Sequence, residues 1–279
     1  MLTPFAELLA GRDDGAVGAF TCYDLEAAVA VLDAAATRGS GVILLIGGKV
    51  FAGERGPLLL AAMVAVAERS DARACVQLDH CQDLGAIAAA LEQGAGAVMA
   101  DGSELPFEQN IAFVHRAVEL ARACGAGVEC ELGGIRGDED VARAVAAGAL
   151  TDPGQADALM ERSGADCLAV SIGNVHGTYR DPPRLDWERL AAIRACVEQP
   201  LSLHGASGLP EPMIERALEA GIAKVNINTE LRRAYLVATS AALPHVLDGA
   251  DITALHDAQI RALREVAVDK LGALEGALR

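Results

Sequence analysis

Three of the six histidines stand directly after short apolar runs, in Leu78-Asp79-His80, Asn174-Val175-His176-Gly177 and Leu203-His204-Gly205. Three imidazoles around an open fourth position make a Lewis-acid centre for a zinc-type divalent ion. His115, His245 and His256 lie in or beside helical patterns and are read as surface or packed side chains. Glu129 and Glu131 put two carboxylates on one face of an extended run, because side chains alternate along a strand. Gly177 and Gly205 let the backbone approach a ligand closely, and the adjacent N–H groups form an anion-binding nest. Gly205-Ala-Ser207-Gly208 leads towards one helix and Asn226 to Thr229 opens another, whose first N–H groups can also face an anion.

The elements that must carry these residues follow from the rhythm of the chain. Apolar runs alternate with helical patterns every 25 to 35 residues or so, which is the spacing of βα units. Strands are predicted at Val17–Cys22, Gly41–Ile46, Ala74–Leu78, Ala97–Ala100, Gly127–Leu132, Cys167–Ser171, Leu201–Leu203 and Ala223–Ile227. Helices are predicted at 25–37, 58–69, 84–93, 107–123, 154–163, 186–197, 210–219 and 229–242. Gly94 and Gly221 follow two of these helices, and Pro57 and Pro210 open two others. The expected fold is α/β, a (β/α)8 TIM barrel, with an additional C-terminal helix at 253–278 on its outside or against a neighbouring subunit. In such barrels the site lies at the C-terminal ends of the strands, where the three histidines fall. The long connections 133–153 and 173–185 follow strands and suit a site.

A length of 279 residues fits one such barrel, with no linker to divide residues 1–279 into more than a single domain. The low aromatic share of 3% leaves Ala, Val, Leu and Gly to fill the core, as suits short parallel strands under helices. A formal charge of −16 argues against a nucleic-acid or anionic membrane partner, so an anionic substrate needs a local site. The seven cysteines form no CxxC pair and sit mostly in apolar runs, which predicts a reduced, cytoplasmic protein. Met1-Leu-Thr-Pro-Phe5 lacks a basic segment followed by an apolar one, so no secretory signal is expected. No uncharged apolar stretch of about 18 residues occurs, so no membrane span is expected either.

From Ala19-Phe-Thr-Cys-Tyr-Asp-Leu-Glu26 to about residue 235 the chain resembles the class II (metal-dependent) fructose/tagatose-bisphosphate aldolase family. The most specific segments are Leu78-Asp-His80, Asp101-Gly-Ser-Glu-Leu-Pro-Phe-Glu-Gln-Asn-Ile111 and Val128-Glu-Cys-Glu-Leu-Gly133. Gly173-Asn-Val-His-Gly177, Leu203-His-Gly-Ala-Ser-Gly208 and Lys224-Val-Asn-Ile-Asn-Thr-Glu230 complete them. The resemblance implies that His80, His176 and His204 ligate zinc or another divalent transition metal, with Asp101 and Glu131 close by. It implies that Asp79 handles the C4 hydroxyl proton of a ketose and that Glu139 moves the C3 proton. Gly177, Arg180, Gly205, Ser207, Asn226 and Thr229 would cradle the phosphate and enediolate of the dihydroxyacetone phosphate half. Position 228 and Arg232 would meet the aldehyde half, Arg232 by reaching a neighbour's site for a distal phosphate. The family further implies a small phosphorylated sugar substrate, a monovalent cation (Na+ or K+) near the phosphate, and a homodimer or homotetramer.

The implied reaction is reversible cleavage of a ketose 1-phosphate or 1,6-bisphosphate through a metal-stabilised enediolate. No Schiff-base lysine is required, although Lys49 and Lys224 fall at predicted strand positions. Two other readings stay open: a sugar-phosphate isomerase or epimerase using the same enediolate, and a non-catalytic aldolase-like subunit. The chain departs from the family at Arg136, where its loop usually has glycine, and at Tyr23-Asp24 in place of an Asn pair. Leu45-Ile-Gly-Gly-Lys-Val-Phe51 lacks the usual serine. Asn228 stands where fructose-bisphosphate enzymes tend to have Asp and tagatose-bisphosphate enzymes Ala.

Overall fold

The structure is a computed structural model that describes residues 1–10, 15–135, 144–145, 148–179 and 181–275. The elements run α1 (Phe5–Ala10), β1 (Val17–Thr21), α2 (Leu25–Arg38), β2 (Gly41–Gly47), α3 (Gly48–Phe51), α4 (Gly56–Arg69), β3 (Arg73–Cys81) and α5 (Leu84–Glu92). They continue with β4 (Ala97–Ala100), α6 (Phe107–Ala123), β5 (Gly127–Leu132), β6 (Ala144–Val145), α7 (Pro153–Ser163), β7 (Cys167–Val170) and β8 (Thr178–Tyr179). The last are α8 (Trp187–Cys196), β9 (Leu201–Leu203), α9 (Glu211–Glu219), β10 (Ile222–Ile227), α10 (Thr229–Val246) and α11 (Ile252–Leu274). Strands β1, β2, β3, β4, β5, β7, β9 and β10 close into a barrel in that order, β10 pairing back onto β1. Every pairing is parallel, the TIM-barrel arrangement that the βα rhythm predicts.

Alternation along each strand divides the side chains between two cores. Outward residues such as Leu44, Val76, Val98, Cys130, Leu168 and Val225 pack under the helices. The inward side is layered. At the bottom, Val17, Ala19, Ile43, Leu45, Cys75, Ala97 and Cys167 meet Phe5, Leu8 and Leu9 of α1, which plugs the N-terminal end. Two residues higher, on the same strand faces, the interior turns polar with Gln77, Asp79, Glu129, Glu131, Lys224 and Asn226, all buried.

Helix starts are fixed by aspartates whose side chains accept from the exposed first-turn N–H groups. Asp24, Asp83, Asp152, Asp186 and Asp251 do this for α2, α5, α7, α8 and α11. These caps start the five helices at definite residues.

The structure corrects several boundaries. Strand β3 runs to Cys81, so Asp79 and His80 lie within it instead of following it. Lys49 belongs to the short helix α3, not to a strand. Helices α1 and α3 and the two-stranded β6–β8 sheet are too short to give a periodic signal. The largest correction concerns the eighth helical position. Helix α10 was expected there, yet only Leu231 of it is buried, while Leu236 and Val237 are exposed. Helix α11 takes the place, burying Leu263, Ala267, Leu271 and Leu274 against α2 and β1. Burial decides this: the apolar stripe of α11 matches the barrel wall and that of α10 does not.

Candidate active site

The upper rim brings the three histidines together. Ring centroids lie 5.0 Å apart for His80–His176, 4.9 Å for His80–His204 and 5.8 Å for His176–His204, with planes near perpendicular. One nitrogen of each lies within 4.8 Å of the others. His80 reaches this point from a left-handed backbone, φ +45°, at an irregularity in the β3–β4 pairing. A β-carbon-bearing residue in that region is strained, and such strain is common where a side chain must be aimed. His204 is braced by Asn174, whose amide donates to the His204 carbonyl at 3.0 Å and to the Val170 carbonyl at 3.1 Å.

Hydrogen bonds fix which nitrogens face inward. Nδ1 of His80 lies 2.9 Å from Asp101 Oδ2, and Nε2 of His204 lies 2.8 Å from Glu129 Oε1. A carboxylate accepts only, so each of those nitrogens carries the proton and the other offers a lone pair. The two lone-pair nitrogens, His80 Nε2 and His204 Nδ1, face each other at 3.0 Å. Two acceptors so close call for a cation or proton between them. Two nitrogens bound at 2.0–2.1 Å to one tetrahedral ion stand roughly 3.3 Å apart. The residues fit a divalent metal held by His80, His176 and His204.

Two carboxylates near the rim, Asp101 and Glu129, are held in the ionised form. Burial pushes Asp101 up, but its hydrogen bond with His80, helped by those from Ser103, holds it well below the usual range. Burial likewise works against Glu129, and Lys224 and His204 together hold it low. His204 itself is pushed down to about 4, by burial first and then by Lys224 and His80, against the pull of Glu129. Burial lowers Lys224, yet Glu129 and Asp79 outweigh it and keep the ammonium charged. A buried, charge-paired ammonium is a poor nucleophile, in keeping with the absence of a Schiff-base requirement.

Beside the histidine rim, a small pocket is lined by His176, Gly177, Gly205, Ser207, Asn226, Asn228 and Thr229. Gly177 (φ +91°) and Gly205 (φ +61°) are both left-handed. Ser207 donates its hydroxyl to Glu230, and Tyr179 donates to the Gly205 carbonyl at 2.9 Å. Thr229 starts α10, so its N-terminal N–H groups open on this pocket.

These features coincide with a match to the class-II fructose-bisphosphate aldolase family over residues 8–277. The chain belongs to that family. Among solved structures, this class-II family member is similar to the YdjI aldolase from Escherichia coli K12, with 31% identity and a TM-score of 0.87. That likeness covers 98% of this chain and 97% of the other. A candidate fructose-1,6-biphosphate aldolase from Coccidioides immitis is 27% identical, TM-score 0.86, over 97% of this chain and 95% of that one. The fructose-bisphosphate aldolase of Campylobacter jejuni, 20% identical with a TM-score of 0.78, shares the fold over 98% of this chain and 95% of its own.

In this family member, Asp79 is buried one residue before His80, and Asn226 donates to its Oδ2 at 3.2 Å. Glu131 stands 3.8 Å from His80 Nδ1 and accepts from the Ile135 N–H at 3.3 Å. Asn228 donates to the Tyr23 hydroxyl at 3.2 Å, and the Arg232 guanidinium lies 6.0 Å from the Tyr23 ring centre. Glu139 and Arg180, and Arg136 with them, lie outside the described residues. Away from the site, His115 contacts the Ser163 carbonyl at 3.3 Å and His256 pairs with Glu26 at 3.1 Å. Gln77 was not noticed from sequence, Glu129 was noted only as sharing a face with Glu131, and Lys224 only as an unneeded nucleophile, although the three form the layer under His204. The available signal was Lys224, a lone charge inside an apolar strand pattern, on the same face as Asn226.

Proposed function

We propose that this protein is a metal-dependent aldolase that reversibly cleaves a ketose 1-phosphate or 1,6-bisphosphate to dihydroxyacetone phosphate and an aldehyde. The observation that carries this reading is the 3.0 Å approach of His80 Nε2 to His204 Nδ1, each ring held from behind by a carboxylate. His80, His176 and His204 would hold zinc or another divalent transition metal. When bound there, such an ion acts as a Lewis acid for carbonyl and hydroxyl oxygens of the substrate.

The remaining chemistry belongs to side chains. Asp79 accepts the C4 hydroxyl proton as C3–C4 breaks; the bond's electrons pass to C3 and the C4 oxygen becomes the aldehyde carbonyl. The Asn226 amide, 3.2 Å away, fixes the direction of one Asp79 oxygen. Glu139 would return a proton to C3, as the family resemblance implies. The phosphate of the dihydroxyacetone phosphate half is assigned to Gly177, Gly205, Ser207, Asn226 and Thr229, which line one small pocket, and, as the family resemblance implies, to Arg180. N–H groups at the start of the 18-residue helix α10 supply local positive potential against the net charge of −16.

The test is a coupled assay on protein of measured metal content, with fructose and tagatose bisphosphates and their 1-phosphates. Chelator-sensitive release of dihydroxyacetone phosphate is expected. Stoichiometric metal with no cleavage of any of the four would overturn the reaction assigned. The exposed Leu236, Val237, Leu247 and Ile252 on and after α10 support a homodimer or homotetramer, measurable by light scattering.

A further inference from the structure

Below the metal-ligating rim sits a cation for which the proposed reaction has no direct use. Lys224 on β10 is fully buried. Its ammonium lies 2.8 Å from Glu129 Oε2 and 2.5 Å from Asn226 Oδ1. Glu129 Oε2 also accepts from Gln77 Nε2 at 2.7 Å, so both lone-pair directions of that oxygen are taken. The carboxylate therefore cannot rotate freely, and Oε1 is left to accept from His204 Nε2 at 2.8 Å.

The second arm runs through Asn226. Its amide could in principle adopt either of two flipped states, since O and N are nearly isosteric. An ammonium has donors only, so Lys224 selects the state with Oδ1 turned towards it. The NH2 then faces Asp79 Oδ2 at 3.2 Å and His204 Nδ1 at 3.3 Å.

We propose that Lys224 is a positioning residue that sets the tautomer of His204 through Glu129 and the orientation of Asp79 through Asn226. The inference rests on reading His204 as a metal ligand and Asp79 as the group that takes the C4 proton. The competing role is bulk: a buried ion pair that fills the barrel can often be replaced by apolar side chains without loss of stability. The two roles part company in the metal site, because carboxylates behind ligating imidazoles typically change metal affinity 10- to 100-fold.

The experiment compares wild type, Lys224→Met and the charge-balanced pair Lys224→Met/Glu129→Gln. Zinc affinity is read by chelator competition, the His204 tautomer by ring-15N NMR of metal-free protein, and kcat and KM at saturating zinc. For Lys224→Met with wild-type circular dichroism, the zinc Kd rises 10- to 100-fold. The His204 ring signals change from a single Nε2–H form to a mixture, and kcat falls about tenfold with KM within about twofold. If that variant does not fold, the charge-balanced pair is compared with Glu129→Gln alone, and its kcat is expected to be several-fold lower still, because Asn226 has lost the ammonium that orients it towards Asp79. A folded Lys224→Met with zinc Kd within about twofold of wild type and unchanged ring signals, or a pair no slower than Glu129→Gln alone, overturns the proposal. So does wild-type protein in which His204 carries its proton on Nδ1. Wild type that binds no zinc would instead count against the metal-site reading, while the ring signals still judge Lys224.

Discussion

A β-carbon placed on Gly205 would lie 2.1 Å from the Val175 carbonyl oxygen. With φ at +61°, Gly205 brings the chain after His204 against the loop that carries His176, so one glycine lets the backbones beside two of the rim histidines meet. Gly205→Ala adds both the left-handed penalty of about 1–2 kcal/mol and a clash with fixed backbone. We expect a loss of at least about 2 kcal/mol in urea unfolding together with weakened metal binding. Unchanged unfolding would mean that the loop moves aside at no cost.

His80→Ala removes one of the two facing nitrogens and the partner of Asp101. Stoichiometric metal should be lost and cleavage should fall by at least about a thousandfold. Metal analysis after gel filtration checks the first part. Retention of one tight ion per chain would show that His80 is not a ligand.

Asp79→Asn tests proton transfer apart from the three imidazoles, since Asp79 is held by Asn226, although its carboxylate also lies within 4.8 Å of a His204 ring nitrogen. Metal content should stay at wild-type level while kcat drops by about 10²–10⁴. A variant with near-normal kcat would move the proton-accepting role elsewhere.

The pH dependence of metal-free stability has a definite sign. His204 is lowered to about 4, from an ordinary value of 6.5, chiefly by burial. The unfolded chain therefore binds a proton on this ring before the folded protein does. Its contribution is fully present above pH 6.5 and is lost as pH falls towards 4, about 3 kcal/mol in all. Glu129 and Asp101, both held low, lose their contributions at still lower pH as they protonate. Urea midpoints measured from pH 7.5 down to 4 should start to fall near 6.5. A flat profile down to pH 5 would contradict the burial of a neutral His204.

Tyr23 and Asn228 are joined at 3.2 Å beside Arg232, at positions where the chain departs from its family. Tyr23→Phe and Asn228→Ala should change the ratio of kcat/KM for fructose and tagatose bisphosphates by about tenfold, with metal affinity intact. An unchanged ratio in both variants would remove this pair from sugar discrimination.

Much of this was written in the order of residues. The eight barrel strands were legible because each is a short apolar run closed by a turn, and the three histidines because each ends such a run. The left-handed Gly177 and Gly205 were legible for the same reason, since glycine next to histidine at a strand end has few packing explanations. The segments α1, α3 and β6–β8 were not, being shorter than the period that would reveal them. Nor was the exchange of α10 for α11 on the barrel wall, because both helices are amphipathic and only the docking partner distinguishes them.

The sequence by itself determined the fold class and the family, and it singled out the three histidines that the barrel brings together, because those depend on periodicity and on residue types at strand ends. Tertiary structure alone decided which imidazole nitrogen faces inward. That choice depends on Asp101 and Glu129, which stand 21 and 75 residues away from the histidines they hold. It also decided that Lys224 is buried among polar partners, since only barrel closure brings Glu129 to its ammonium. A hydrogen bond is set by distance and direction in space, and the order of residues along the chain carries neither.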